Sequence, residues 1–140
     1  PLATQAVTIL KQMQQVTGHK TYVFVTAQGK DTPLSENTTT NALKRIINPT
    51  TNKPYGTGYM TSHGFRHTAS TMLNELGYEA DIIELQLAHT NKDRIRATYN
   101  KAKWMNKRIA MMQDWADYLD GIKAGTNIVP IKKEIVSGTV

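Results

Sequence analysis

The chain has 140 residues, one domain's worth with room for a buried core, and its 17 Lys and Arg against 11 Asp and Glu leave a formal charge of +6, which suits a polyanionic partner. It contains no cysteine, so disulfides and Cys-ligated zinc are excluded and a reducing compartment is consistent with the composition. No apolar run is long enough to span a bilayer and no signal peptide opens the sequence, so the expectation is one globular unit with a loose end, cytoplasmic and without a membrane partner.

Val7, Leu10, Met13 and Val16 recur at helical spacing before Gly18 and predict a first helix from about Thr4 to Val16. Tyr22-Val23-Phe24-Val25, closed by Gln28-Gly29, reads as one short strand with no obvious partner. After Pro33, Ser35 or Asn37 is placed to cap a second helix through Ala42, Leu43, Ile46 and Ile47, which stops before Pro49. Asn48 to Tyr59, rich in Pro, Gly, Asn and Thr, reads as a loop. Thr61 or Ser62 then caps a third helix with Phe65, Ala69, Met72, Leu73 and Leu76 as its buried stripe and Gly77 as its stop. Ala80 to Leu87 is a short fourth helix, apolar at Ile82, Ile83, Leu85 and Leu87.

Asp93 caps a basic stretch, Arg94 to Asn100, beyond which Met105, Ile109, Met112, Ala116 and Leu119 mark a long amphipathic helix closing near Gly121. Met111, Trp104 and Trp115 are assigned to the core of that helix together with Met105 and Met112. The expected class is mainly α with a small β element. Residues 1–121 form the domain and residues 122–140 a tail, where Ile128, Val129, Ile131, Ile135 and Val136 are too apolar to idle and suit strand addition to a sheet edge, such as that of Tyr22 to Val25, in the same domain or in trans on a neighbour.

Four dispersed residues carry the chemistry: His63 and Arg66 in His63-Gly64-Phe65-Arg66, His89 after Leu87-Ala88, and Tyr99. Two imidazoles, a guanidinium and a phenol suit attack by tyrosine on a phosphodiester, which needs a nucleophile, charge stabilisation on the non-bridging oxygens and a proton for the leaving oxygen. Arg66 has the fork to hold two phosphate oxygens, reinforced by backbone N–H groups at a helix start. His63, one turn earlier on the same face, bonds the same phosphate or relays a proton. His89 donates to another oxygen, and Tyr99 is the nucleophile.

Alone, H-x-x-R is an ordinary helix start; the joint spacing to His89 and Tyr99 is what points to strand transfer. The excess of cations between Lys92 and Arg108 (Lys92, Arg94, Arg96, Lys101, Lys103, Lys107, Arg108) surrounds Tyr99 and marks Lys92, Arg94, Arg96, Lys101 and Lys103 as DNA-backbone contacts. His63 and His67 have an i, i+4 spacing and could ligate a metal with His89, but no acidic ligand is spaced to complete the site, so no metal is assigned. His67 is read as support for its helix and Tyr78 as a surface or packing residue.

These motifs resemble the tyrosine recombinase, or phage integrase, family, whose signature is H-x-x-R, a leucine-small-histidine step and a tyrosine about a helix later. The likeness covers roughly residues 1 to 120, with Pro1-Leu2-Ala3-Thr4-Gln5-Ala6-Val7 similar to the segment after the family's β-hairpin and Tyr22-Val23-Phe24 similar to its short hydrophobic motif. Ala88 stands where glycine is commoner. The family's first catalytic arginine and its hairpin lysine lie upstream of what Pro1 matches, so the resemblance implies the C-terminal part of a catalytic domain, inactive by itself.

It further implies site-specific recombination of a mobile element through a 3′-phosphotyrosyl link, without cofactor, by a homo-tetramer on two synapsed double-stranded DNA sites with accessory DNA-bending proteins, in the bacterial cytoplasm. Two other classes stay open on the residues: relaxation of DNA in the manner of a type IB topoisomerase, and a non-catalytic DNA-binding module.

Overall fold

Val7, Leu10 and Met13, three residues apart, build one stripe of α1 (Thr4–Thr17), which runs one turn-end beyond the expected Val16. Gly18 stops it. Its N–H donates to the Gln14 carbonyl at 2.8 Å, and a Cβ there would come within 2.4 Å of that same oxygen, an approach only glycine allows. The computed structural model describes residues 1–26, 30–56, 58–88 and 104–126. They fall into two compact units, Thr4–His67, and Pro1–Ala3 with Thr68–Val140.

In the Thr4–His67 unit, Thr17 is buried with its hydroxyl 2.8 Å from the Val23 carbonyl and 3.0 Å from that of Met13, so one proton ties the helix end to the residues that follow. The strand expected at Tyr22 to Val25 is instead a single antiparallel bridge between Val25 and Pro33. Thr26 N–H donates to Thr32 O at 3.1 Å and Leu34 N–H to Phe24 O at 3.2 Å. The partner missing from the sequence reading is thus residues 32–34, hidden because proline is a poor strand residue; Pro33 also has no N–H to offer a further strand. Asp31 clasps the turn, accepting the Thr21 hydroxyl at 2.6 Å and the Thr21 N–H at 3.0 and 3.1 Å. Those bonds, the hydroxyl's first, hold the Asp31 carboxyl below the usual carboxylate range.

α2 (Asn37–Arg45) ends before the expected Ile47, because Ile46 turns extended (φ −63°, ψ 130°) and Ile47 bridges to Pro54. Asn48 Oδ1 organises the turn between them by accepting from Thr50 N (2.8 Å) and Thr51 N (3.2 Å). The expected side-chain cap of α2 does not form: Glu36 occupies the cap position without a side-chain bond, and Ser35 Oγ pairs with Thr38 Oγ1 at 3.0 Å.

The division between the units falls inside α3 (Ser62–Glu75). In the second unit Leu73 packs with Ile82 and Ile83 of α4 (Ala80–Gln86) and Met111 of α5 (Met105–Lys123), each fully buried and each contributing about 1.5–3 kcal/mol. Leu76, Tyr78, Leu87, Trp104, Met112 and Trp115 surround them. This core corrects two expected stripes. Phe65 shares the face of Met72 yet is 48% exposed, because among the described residues the core takes only the later turns of α3. On α5, Met105, Ile109 and Leu119 stay between 40% and 49% exposed, whereas Trp104, Met111, Met112 and Trp115, also expected in the core, supply the buried face. Both stripes have helical spacing; the one with two tryptophans removes more apolar area from water.

Gly77 (φ 85°) ends α3 with Tyr78 N–H donating to Leu73 O at 3.1 Å. Gly121, the expected end of the last helix, lies within α5, which closes instead at Gly125 (φ 70°) with Thr126 N–H on the Gly121 carbonyl at 3.1 Å. Ile122 and Lys123 are therefore helical, and residues 127–140 lie outside the described residues. Mainly helical with a small β element, the chain has the expected class.

Tyr78 is a packing residue with a polar anchor, its hydroxyl donating to Asp114 Oδ2. Burial first, then that carboxylate, raises its phenol above the ordinary value. A phenol raised by folding stabilises the fold below its unfolded pKa, about 10, and the contribution is lost as pH climbs beyond it. Tyr78→Phe is expected to melt lower than the parent at pH 7, by the equivalent of about 1 kcal/mol. That gap should narrow as melts are repeated above about pH 10; a gap independent of pH would remove the Asp114 bond from this role.

Candidate active site

Hydroxyl groups assemble the start of α3. Thr61 Oγ1 accepts the Gly64 N–H at 3.2 Å, the capping bond expected of Thr61 or Ser62. The Ser62 N–H is met from α2, where Thr40 Oγ1 accepts it at 3.3 Å and also lies 2.9 Å from Ser62 Oγ. A Cβ at Gly64 would lie 3.2 Å from Met60 Sδ, so a larger residue there presses on Met60.

His63 in the first turn and Arg66 at the start of the second stand on one face of α3, three residues apart. Neither is buried, and no carboxylate among the described residues pairs with Arg66. His67 packs edge-to-face on His63, with ring centroids 4.7 Å apart at 88°, which is a supporting contact of the kind expected of it. The first turn holds no acidic residue, and an arginine close behind it stands near the end of the helix dipole that favours anions. A phosphate removes that conflict by meeting the guanidinium fork and the helix N-terminus together.

His89 and Tyr99 lie outside the described residues, as do Lys92, Arg94, Arg96, Lys101 and Lys103. The two flanks of that segment are described. Ala88, just before His89, has φ 53°, left-handed backbone that disfavours a residue with a Cβ by roughly 1–2 kcal/mol and accounts for a preference for glycine there. On the other flank, Lys107 and Arg108 are engaged within the chain. Lys107 Nζ lies 2.6 Å from Glu79 Oε1, and Arg108 Nε donates to Gln86 Oε1 at 2.9 Å, so both tie α5 to the α4 region. Among the described residues no three His, Cys, Asp or Glu side chains are grouped as a metal site needs.

The profile of the phage integrase family matches residues 1–104, a span that contains His63, Arg66, His89 and Tyr99. The chain belongs to that family. It is similar to prophage integrase IntZ of Escherichia coli (strain K12), 43% identical over 138 residues that cover 96% of this chain and 31% of that protein. Prophage integrase IntA of the same strain is 35% identical over 129 residues, 92% of this chain and 29% of the relative. The integrase of Shigella phage Sf6 is 37% identical over 121 residues, 86% and 29% of the two chains. The chain thus spans about three tenths of the length of these curated relatives. No solved structure matches it. No helix among the described residues is long and apolar enough to cross a membrane.

Within this integrase-family chain, the contact of Thr40 with the motif turn escaped sequence reading. Its partner lies 22 residues onward, and nothing in Thr38-Thr39-Thr40 sets the third threonine apart.

Proposed function

We propose that this chain carries the nucleophile and three phosphate-binding groups of a site-specific DNA recombinase that integrates or excises a mobile element. The reading is carried by the family match over residues 1–104, which takes in the whole motif from His63 to Tyr99. The Tyr99 hydroxyl attacks the scissile phosphorus, its proton leaves, and the 5′-oxygen departs and takes up a proton. The products are a 3′-phosphotyrosyl link and a free 5′-hydroxyl. Attack by the partner strand's 5′-hydroxyl on that link releases the tyrosine, and one phosphodiester has been exchanged for another, so the balance closes without a cofactor.

Arg66 grips two non-bridging oxygens, His63 bonds the same phosphate or relays a proton, and His89 donates to a further oxygen, each placed where charge develops. Lys92, Arg94, Arg96, Lys101 and Lys103 neutralise neighbouring phosphates. A further arginine and a lysine, which residues 1–140 do not supply, complete the charge stabilisation and protonate the leaving oxygen. The unit at work is a tetramer on two double-stranded attachment sites with DNA-bending partners, its C-terminal tail docking on a neighbouring copy.

A duplex nicked beside the scissile phosphate tests this. The full-length protein is expected to become covalently joined to it and then to exchange strands, whereas residues 1–140 alone should capture it slower by at least about 10²- to 10³-fold, the cost of one missing oxyanion contact. No covalent product from the full-length protein would overturn the reading, and rapid capture by residues 1–140 would overturn the need for the two extra cations.

A further inference from the structure

We propose that Thr40 is a positioning residue for His63 and Arg66: from α2 its hydroxyl fixes the start of α3, the helix whose first two turns carry the phosphate-binding pair. The inference rests on the function proposed above, and its geometry lies entirely within the Thr4–His67 unit. One oxygen makes both contacts, accepting the Ser62 N–H at 3.3 Å and sharing a hydrogen bond with Ser62 Oγ at 2.9 Å.

The opening N–H groups of a helix have no intrahelical acceptor, so a side chain that takes one sets where the helix begins. Thr61 serves Gly64 from within the local chain, but its bond fixes only the turn's internal shape. Thr40 is different, because it belongs to another helix and fixes where that turn sits relative to α2. No apolar core duplicates the constraint from the α2 side, since α2 has no buried residue and reads Asn-Thr-Thr-Thr-Asn-Ala-Leu-Lys-Arg. The β-branched side chain adds stiffness, for threonine holds its hydroxyl in fewer rotamers than serine.

Without the hydroxyl, the partly buried Ser62 N–H and Oγ must find water or a phosphate instead, and the turn is free to shift. His63 follows Ser62 directly and Arg66 follows one turn later, so both phosphate contacts move with it. A misplacement of about 1 Å away from the reacting atoms is enough to slow chemistry by up to roughly 10²-fold while leaving binding intact.

The test uses the full-length protein and the nicked duplex at saturating concentration. Thr40→Val keeps the shape and removes the hydroxyl; Thr40→Ser keeps the hydroxyl and removes a methyl. Thr40→Val is expected to slow covalent capture by about 10-fold or more, with DNA affinity and melting temperature close to the parent, and Thr40→Ser to recover most of the rate. Parental capture by Thr40→Val overturns the proposal, as does a rate that follows the methyl rather than the hydroxyl, or a loss of DNA affinity that accounts for the whole effect. If Thr40→Val does not fold, Thr40→Ala against Thr40→Ser makes the same comparison. Tyr99→Phe separates the two levels: capture persisting in that variant overturns the proposed function, whereas its loss there with parental capture in Thr40→Val overturns only the role of Thr40.

Discussion

Tyr99→Phe in the full-length protein is expected to bind its DNA sites with parental affinity and to yield no covalent product on the nicked duplex. The substitution removes one oxygen and keeps the ring, so the phosphate contacts of the other residues stay while the nucleophilic oxygen is gone. The effect is all-or-none for a second reason. A phenol with pKa about 10 is mostly protonated at neutral pH, so attack already depends on proton removal beside the bound phosphate, and water placed there by chance has no equivalent positioning. Gel-shift titration and denaturing electrophoresis of the captured strand measure the two properties separately. A shifted band that survives denaturation in Tyr99→Phe would take the nucleophile's role away from this residue.

Arg66→Lys is expected to lower the single-turnover rate by about 10²- to 10³-fold while leaving the melting temperature unchanged. The first half follows from geometry, because a lysine ammonium is a point charge on a flexible stem and cannot reproduce two parallel hydrogen bonds to one phosphate. The second half follows from the surroundings of Arg66. No carboxylate among the described residues pairs with it and the side chain is not buried, so the fold loses little when the fork is exchanged. Removal of an arginine from the start of a helix relieves a dipole conflict if anything, whereas lysine keeps the charge and so keeps the comparison clean. A stability loss that parallels the rate loss would make Arg66 a structural residue, and near-parental turnover would remove it from the phosphate.

The candidate site was legible wherever its geometry is local. H-x-x-R places two side chains on one face as soon as residues 62–75 are helical, and that helix announces itself through the Thr61 cap and the Gly77 stop. The same holds for α1, whose Gly18 stop is written in the sequence because no other residue tolerates the Gln14 carbonyl at that distance. The second strand segment was not legible: Val25 pairs with Pro33, and proline at the crossing point concealed the partner that a β-branched residue would have advertised.

By itself, then, the sequence determined the helical class, the positions of most helix starts and stops, and the membership signature from His63 to Tyr99, since the first two depend on neighbouring residues and the third on residue types and spacing along the chain. Only the tertiary structure decided that Met105, Ile109 and Leu119 of α5 stay exposed, that Ile46 leaves α2 to join a turn, that Lys107 and Arg108 hold Glu79 and Gln86, and that Thr40 reaches the motif turn. The physical reason is common to all four. Helical periodicity is a property of neighbouring φ/ψ angles and can be read along the chain, but the choice among faces, acceptors and counter-charges is made by whichever distant group removes more apolar area from water or leaves fewer polar atoms unpaired.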